Sequence, residues 1–318
     1  MNASKYPERS GNPATRAAAA RLRQAEGRTR VRWTDWVGGA RLRTLPLAVA
    51  PVLVGAGIAY SLQSFSWALS ALALAVAVLL QVGVNYANDY SDGVRGTDEH
   101  RIGPARLTGS GLVNPKKVLA TALTFFALAA VAGLVAVVMS GRWWFLAVGA
   151  VAILAAWFYT GGKRPYGYAG LGEVAVFIFF GLVATVGTVW LQAPNPPQEA
   201  WIAGTGVGCF AVAVLIANNT RDIATDRLAG KRTLSVRIGD RASRVLFTIF
   251  VLLPFAVPGI YLVVYPGMIL ALLALFGAIP AAVIMIWARS SKEMIGALAV
   301  TSLTALVYAA LLGAAFAF

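Results

Sequence analysis

The sequence is poor in charge and almost empty of soft metal ligands. Only 13% of its 318 residues are charged, about half the usual share of a soluble domain. It has one cysteine, Cys209, and one histidine, His100. A lone cysteine forms no internal disulfide, and in an apolar run it reads as a small hydrophobe. One Cys and one His also exclude a His/Cys zinc site. Any metal must then be held by carboxylates, which favours a hard, oxygen-binding cation. What the chain has instead is apolar surface. Its hydrophobic share is 58% and its mean hydropathy +0.71. These values exclude a disordered chain and a disulfide scaffold, and they argue strongly against a soluble globular one.

A helix needs about 20 apolar residues to cross the hydrocarbon core. Nine such runs are present, at 45–60, 67–87, 118–139, 143–159, 174–191, 201–217, 245–264, 268–287 and 294–316. The first is short and holds Pro46 and Pro51, so it is expected to start earlier, near Trp36, or to be kinked. The expected fold is all-α: nine transmembrane helices around a central cavity, over residues 36–318. Residues 1–35 read as a basic tail lying near anionic lipid, with no apolar stretch that would make a cleaved signal.

The net charge is +14, but its placement argues against nucleic acid. Of the 27 Lys and Arg residues, ten lie in residues 1–44. Alternate loops thereafter hold five, two, seven and two, and the remaining loops hold Arg142 alone. Such alternation fits nine spans, a cytoplasmic N-terminus and an outside C-terminus.

Acidic residues cluster at two places, each where a span ends. The first runs Asn85-Tyr86-Ala87-Asn88-Asp89-Tyr90-Ser91-Asp92 and on through Arg95 and Gly96 to Asp98. The second runs Asn218-Asn219-Thr220-Arg221-Asp222 and on through Asp226 to Lys231 and Arg232. By the charge alternation both lie on the cytoplasmic side. Asn88 with Asp92, and Asp222 with Asp226, are four residues apart, so each pair shares one helix face. Two such faces over one pocket would present oxygens to magnesium, which commonly also takes substrate phosphates. Carboxylates alone would repel a diphosphate. Arg95, Arg106, Arg221, Lys231 and Arg232 supply the complementary donors. A single acidic loop would read as an ordinary polar surface; two in equivalent positions point to a site.

These residues resemble the UbiA superfamily of intramembrane prenyltransferases. The resemblance runs from about Trp36 to the C-terminus. It is densest at Ala40-Arg41-Leu42-Arg43-Thr44-Leu45-Pro46, at Gly103-Pro104-Ala105-Arg106-Leu107, at Tyr159-Thr160-Gly161-Gly162-Lys163-Arg164-Pro165, and at Gly230-Lys231-Arg232-Thr233. Five residues separate Asp92 from Asp98, with Gly96 between them. That spacing is similar to the branch acting on 1,4-dihydroxy-2-naphthoate, rather than to the 4-hydroxybenzoate and haem-farnesylating branches. Position 163 is often not Lys in this stretch, so the role of Arg164 is the firmer of the two.

The resemblance implies nine helices, magnesium, an allylic polyprenyl diphosphate as donor and dihydroxynaphthoate as acceptor, with loss of carbon dioxide. It implies catalytic roles for Asp92, Asp98, Asp222 and Asp226, and a metal set of these four with Asn88. Asp98 either binds metal or orients a base such as Arg106. Asp89 points about 100° from Asn88 on a helix and is assigned to a second tier of substrate contacts. Arg41, Arg95, Arg106, Tyr159, Lys163, Arg164, Asn219, Arg221, Lys231 and Arg232 complete the substrate-binding set. Tyr86, Tyr90, Tyr166 and Tyr168 also flank the pocket, where a ring face can stabilise a cation. Glu173 is either a helix N-terminal charge or an acid that orients a hydroxyl. The alternatives are a sibling enzyme acting on homogentisate, 4-hydroxybenzoate or chlorophyllide, and a transporter. A transporter would carry its ionisable groups near the bilayer midplane, whereas here they gather at one surface.

Overall fold

A computed structural model describes residues 31–98 and 106–318. The expected basic tail therefore lies outside the described residues up to position 30, as do His100, Gly103, Pro104 and Ala105. Among the described residues the fold is all helical. Helix α1 is Trp33–Ala40, starting three residues before the expected boundary, and α2 is Pro46–Ser61. Then come α3 (Trp67–Val94), α4 (Pro115–Ser140), α5 (Phe145–Phe158) and α6 (Gly172–Gln192). The chain continues with α7 (Gln198–Arg221), the short α8 (Ile223–Leu228), α9 (Leu234–Tyr261), α10 (Met268–Trp287) and α11 (Ser291–Ala317).

Local signals account for the ends. Ser66 caps α3 through Leu69 N–H. Asn114 caps α4, with Pro115 in its first turn. Ser290 and Glu293 form a reciprocal capping box on α11, satisfying two amides that the helix itself leaves orphaned. Pro46 opens α2, and the chain bends by 46° between residues 33–44 and α2. At that bend Arg41 adopts a left-handed φ of 53°, uncommon for a residue with a Cβ.

The expected count of nine full-length spans needs correction. Among the described residues seven helices are long and apolar enough to cross a bilayer, eight if the bent α1–α2 pair is one span. The ninth expected run is α5, with 14 residues. At 1.5 Å per residue it is about 21 Å long, short of the ~30 Å core. It nevertheless runs from one end of the bundle to the other. Trp144 before it packs on Trp190 near the end of α6, while Thr160 after it reaches Asn88 on α3. Helix α9 starts eleven residues ahead of its expected position, with a break at Gly239 where φ is 84°.

Two seams show how tightly the rest packs. A Cβ at Gly57 of α2 would lie 2.1 Å from the Gly313 carbonyl of α11. One at Gly181 of α6 would lie 2.7 Å from the Gly204 carbonyl of α7. Small residues let apolar helices approach closely where water gives no hydrophobic drive. Helix α7 is the buried centre, and Cys209 sits within it. In contrast α5 buries no residue, and α6 carries a π-helical stretch at Phe177–Val183. Between α2, α3, α4, α5, α6 and α7 lies a cavity of about 590 Å³.

Candidate active site

One face of α3 runs along this cavity. Ala73, Ala77, Gln81, Asn88 and Asp92 all line it, from first to last about 28 Å of helix. The wall is apolar through most of that depth, and polar groups gather at one end. Asn88 and Asp92 are brought there by their four-residue step, as expected. Asp89 turns away. Its carboxylate accepts the backbone N–H groups of Leu107 (2.9 Å) and Thr108 (2.8 Å), and it does not line the cavity. The expected substrate contact at Asp89 is therefore corrected: both oxygens pin the segment that carries Arg106.

Pinned in this way, Arg106 crosses back over α3. Its Nη1 donates to the Asn88 carbonyl (2.9 Å) and to Asp92 Oδ2, and it pairs with Asp98 at 3.2 Å. Burial by itself would lower the Arg106 pKa, but Asp92, Asp98 and Asp89 outweigh it and hold the guanidinium firmly charged. Asp92 is 2% exposed and has two further donors, the Tyr168 hydroxyl and Lys231 Nζ at 3.2 Å. Burial and the nearby Asp92 push the Tyr168 phenol well above its ordinary range, so it stays a donor. Lys231 also sits 4.6 Å from the centre of the Tyr168 ring.

Lys231 belongs to the second acidic cluster, 139 residues from Asp92. Its delivery is local. Asp226 N–H bonds to the Asp222 carbonyl, and Lys231 N–H to the Asp226 carbonyl, both at 2.8 Å. Gly230 takes the left-handed φ of 72° that closes the turn. Arg232 N–H then bonds the Tyr168 carbonyl at 2.8 Å, joining the 159–168 loop to this cluster. Asp222 is held by its neighbour Arg221 through two bonds, at 2.7 and 2.5 Å. Asn219 Nδ2 donates to Glu173 Oε1 at 2.9 Å.

A profile of the UbiA prenyltransferase family matches residues 48–294. The chain belongs to that family. A 1,4-dihydroxy-2-naphthoate octaprenyltransferase of Mycobacterium tuberculosis is 46% identical over 286 residues, covering 90% of this chain and 98% of that one. An Escherichia coli protein of the same name is 39% identical over 66% of this chain and 70% of that one. Among solved structures, a UbiA homologue from Aeropyrum pernix has a TM-score of 0.64 at 15% identity, over 81% of this chain and 94% of that one. A UbiA homologue from Archaeoglobus fulgidus bound to GPP and Mg2+ has a TM-score of 0.53 at 12% identity, over 86% and 99%. These likenesses agree with the all-helical membrane fold. The chain is an integral membrane protein.

Within this UbiA-family cavity, the expected residues divide into two groups. Arg41, Asn88, Asp92, Arg106, Tyr159, Asn219, Arg221, Asp222, Asp226 and Lys231 line it. Arg95, Asp98, Lys163, Arg164 and Arg232 do not. Arg95 is spent on the Thr160 and Gly162 carbonyls, which ties down the 159–168 loop. Asp98 backs Arg106 from behind, the orienting alternative weighed for it. Lys163, Arg164 and Arg232 are exposed. Of the tyrosines, Tyr159, Tyr166 and Tyr168 face the cavity. Tyr86 instead bonds the Trp36 carbonyl at 2.6 Å.

For a hard cation the donor chemistry fits: Asn88, Asp92, Asp222 and Asp226 offer only oxygen at one cavity end. The expected five-residue set is nonetheless not assembled. Among the described residues no three acidic, His or Cys groups form a ligand cluster, since Asp92 faces Arg106 and Lys231 while Asp222 faces Arg221.

Several cavity residues were missed by sequence reasoning. Thr160 donates to Asn88 Oδ1 at 2.6 Å. Gln81 and Asn85 continue the Asn88–Asp92 face into the span. A signal existed for the last two. They stand four and three residues apart on one face of an apolar helix, and polar residues in spans usually face a cavity.

Proposed function

We propose that this protein transfers a polyprenyl chain from an allylic diphosphate to 1,4-dihydroxy-2-naphthoate. The ring carbon bearing the carboxylate gains the prenyl group and loses carbon dioxide, and diphosphate leaves; the product is the hydroquinone, which dioxygen oxidises afterwards to demethylmenaquinone. The observation that carries this reading is the meeting of both acidic clusters, through Lys231 and Asp92, at the polar end of a deep apolar cavity. The names of the naphthoate relatives support the acceptor.

The residues suit the chemistry. Ionising an allylic C–O bond puts charge on the departing diphosphate. Lys231, Arg106 and Arg221 line the place where that charge develops, and fixed cations there lower the barrier without reorganising. Magnesium, when bound by Asn88 and Asp92 or by Asp222 and Asp226, supplies further positive charge for the same oxygens. Tyr159, Tyr166 and Tyr168 line the same cavity, and an aromatic ring beside an allylic cation stabilises it. The apolar wall keeps water from trapping that cation. By charge alternation the site faces the cytoplasm, with the N-terminus on the same side.

Purified protein given an allylic diphosphate, magnesium and equal amounts of dihydroxynaphthoate, 4-hydroxybenzoate and homogentisate tests the reading by mass analysis. Prenylated, decarboxylated naphthoquinone that disappears with EDTA is expected. A different prenylated acceptor would overturn the acceptor, and no product from folded protein would overturn the activity.

A further inference from the structure

A second polar step lies deeper in the cavity, away from the acidic end. Gln81 stands two helical turns from Asn88 along α3, and 7% of it is exposed. Its Nε2 donates to Thr44 Oγ1 at 2.8 Å. The orientation of this amide is determined by its neighbours. Thr44 spends its own hydroxyl hydrogen on the Arg41 carbonyl, at 3.0 Å, so its oxygen can only accept from Gln81. With Asn85 Nδ2 also donating to Thr44 Oγ1, at 3.4 Å, Gln81 turns its NH2 toward Thr44 and its carbonyl oxygen the other way. That oxygen is buried without a hydrogen-bond partner among the described residues. Thr44 lines the cavity with Gln81.

A buried acceptor left unpaired costs about 1–3 kcal/mol, and a glutamine serving only as glue between helices would spend both ends. A molecule that displaces water from this oxygen keeps the bond only if it carries a donor hydrogen. Neither half of an allylic diphosphate does, because the prenyl chain has no polar hydrogen and the ionised diphosphate only accepts. A phenolic ring does. We infer that Gln81 Oε1 accepts a hydroxyl hydrogen of the aromatic acceptor. The inference rests on the proposed activity and names the residue that selects a hydroxylated ring.

The test uses the full chain in lipid nanodiscs. KM is measured separately for dihydroxynaphthoate and for the allylic diphosphate in wild type, Gln81→Leu and Gln81→Met. Inhibition by 1-hydroxy-2-naphthoate and by 4-hydroxy-2-naphthoate, each lacking one hydroxyl, is compared in all three. Loss of one hydrogen bond should raise the acceptor KM roughly tenfold and leave the diphosphate KM within about twofold. One monohydroxy compound should bind wild type markedly less well than the other, and this preference should vanish in the variants. Thr44→Val, which frees the amide to turn, should raise the same acceptor KM by a smaller factor. Variants with an unchanged acceptor KM and an unchanged preference would overturn the role of Gln81 alone. A wild type that ignores dihydroxynaphthoate would overturn the proposed activity and this inference together.

Discussion

The two acidic clusters have matching four-residue steps in sequence, yet they sit in different electrostatic settings. Asp92 is buried and shared among Arg106, Lys231 and Tyr168. Asp222 and Asp226 are half-buried, and Asp222 is paired with the adjacent Arg221. The first cluster is thus a closed network that also holds the fold together. The second is more open to water, where charges are screened and pair less strongly. Equal spacing does not imply equal burden: one cluster braces three separate segments of the chain, while the other is braced chiefly by its own neighbour.

Substitutions can separate these burdens. Asp92→Asn is expected to have the largest effect, cutting turnover at least ~100-fold. It should also lower the melting temperature in detergent, because two buried cations lose their shared counter-charge. Asp226→Asn should cut turnover comparably while leaving the melting temperature nearly unchanged; a matching thermal loss would erase the contrast. Asp89→Ala probes the fold-keeping side alone. It strips two buried N–H groups of their acceptor and should cost about 2–4 kcal/mol of stability, read as a shift in thermal or denaturant midpoint. Arg164→Ala should do least. An exposed charge outside the cavity should change the diphosphate KM by a few-fold at most. That change should fade as salt rises; a large, salt-insensitive loss would place Arg164 on the substrate.

Much of this was legible before any coordinates. The apolar runs located every long helix, and Pro46 marked the bend ahead of α2. Helical periodicity separated Asp89 from Asn88 and Asp92, although it could not show that Asp89 grips Leu107 and Thr108. Arg95, Lys163, Arg164 and Arg232 show how little proximity in sequence says about where a side chain points. Each lies beside a motif residue, yet its side chain leaves the cavity, since neighbours in a turn or helix point in different directions. The length of α5 was overestimated because hydropathy does not reveal where a helix starts to unwind. Gln81 went unnoticed because it lies inside the apolar span, a full turn before the acidic cluster that begins at Asn85.

The sequence by itself determined the membrane class, the helical architecture and the faces on which the acidic pairs lie. Hydropathy and the 3.6-residue period are local properties, set by residues a few positions apart. Only the tertiary structure decided which cation meets which carboxylate. The Lys231–Asp92 contact joins residues 139 positions apart, and it depends on how α3, the 159–168 loop and the turn after α8 are set against one another. Close glycine seams and the grip of Asp89 set those positions, and no short stretch of sequence encodes them.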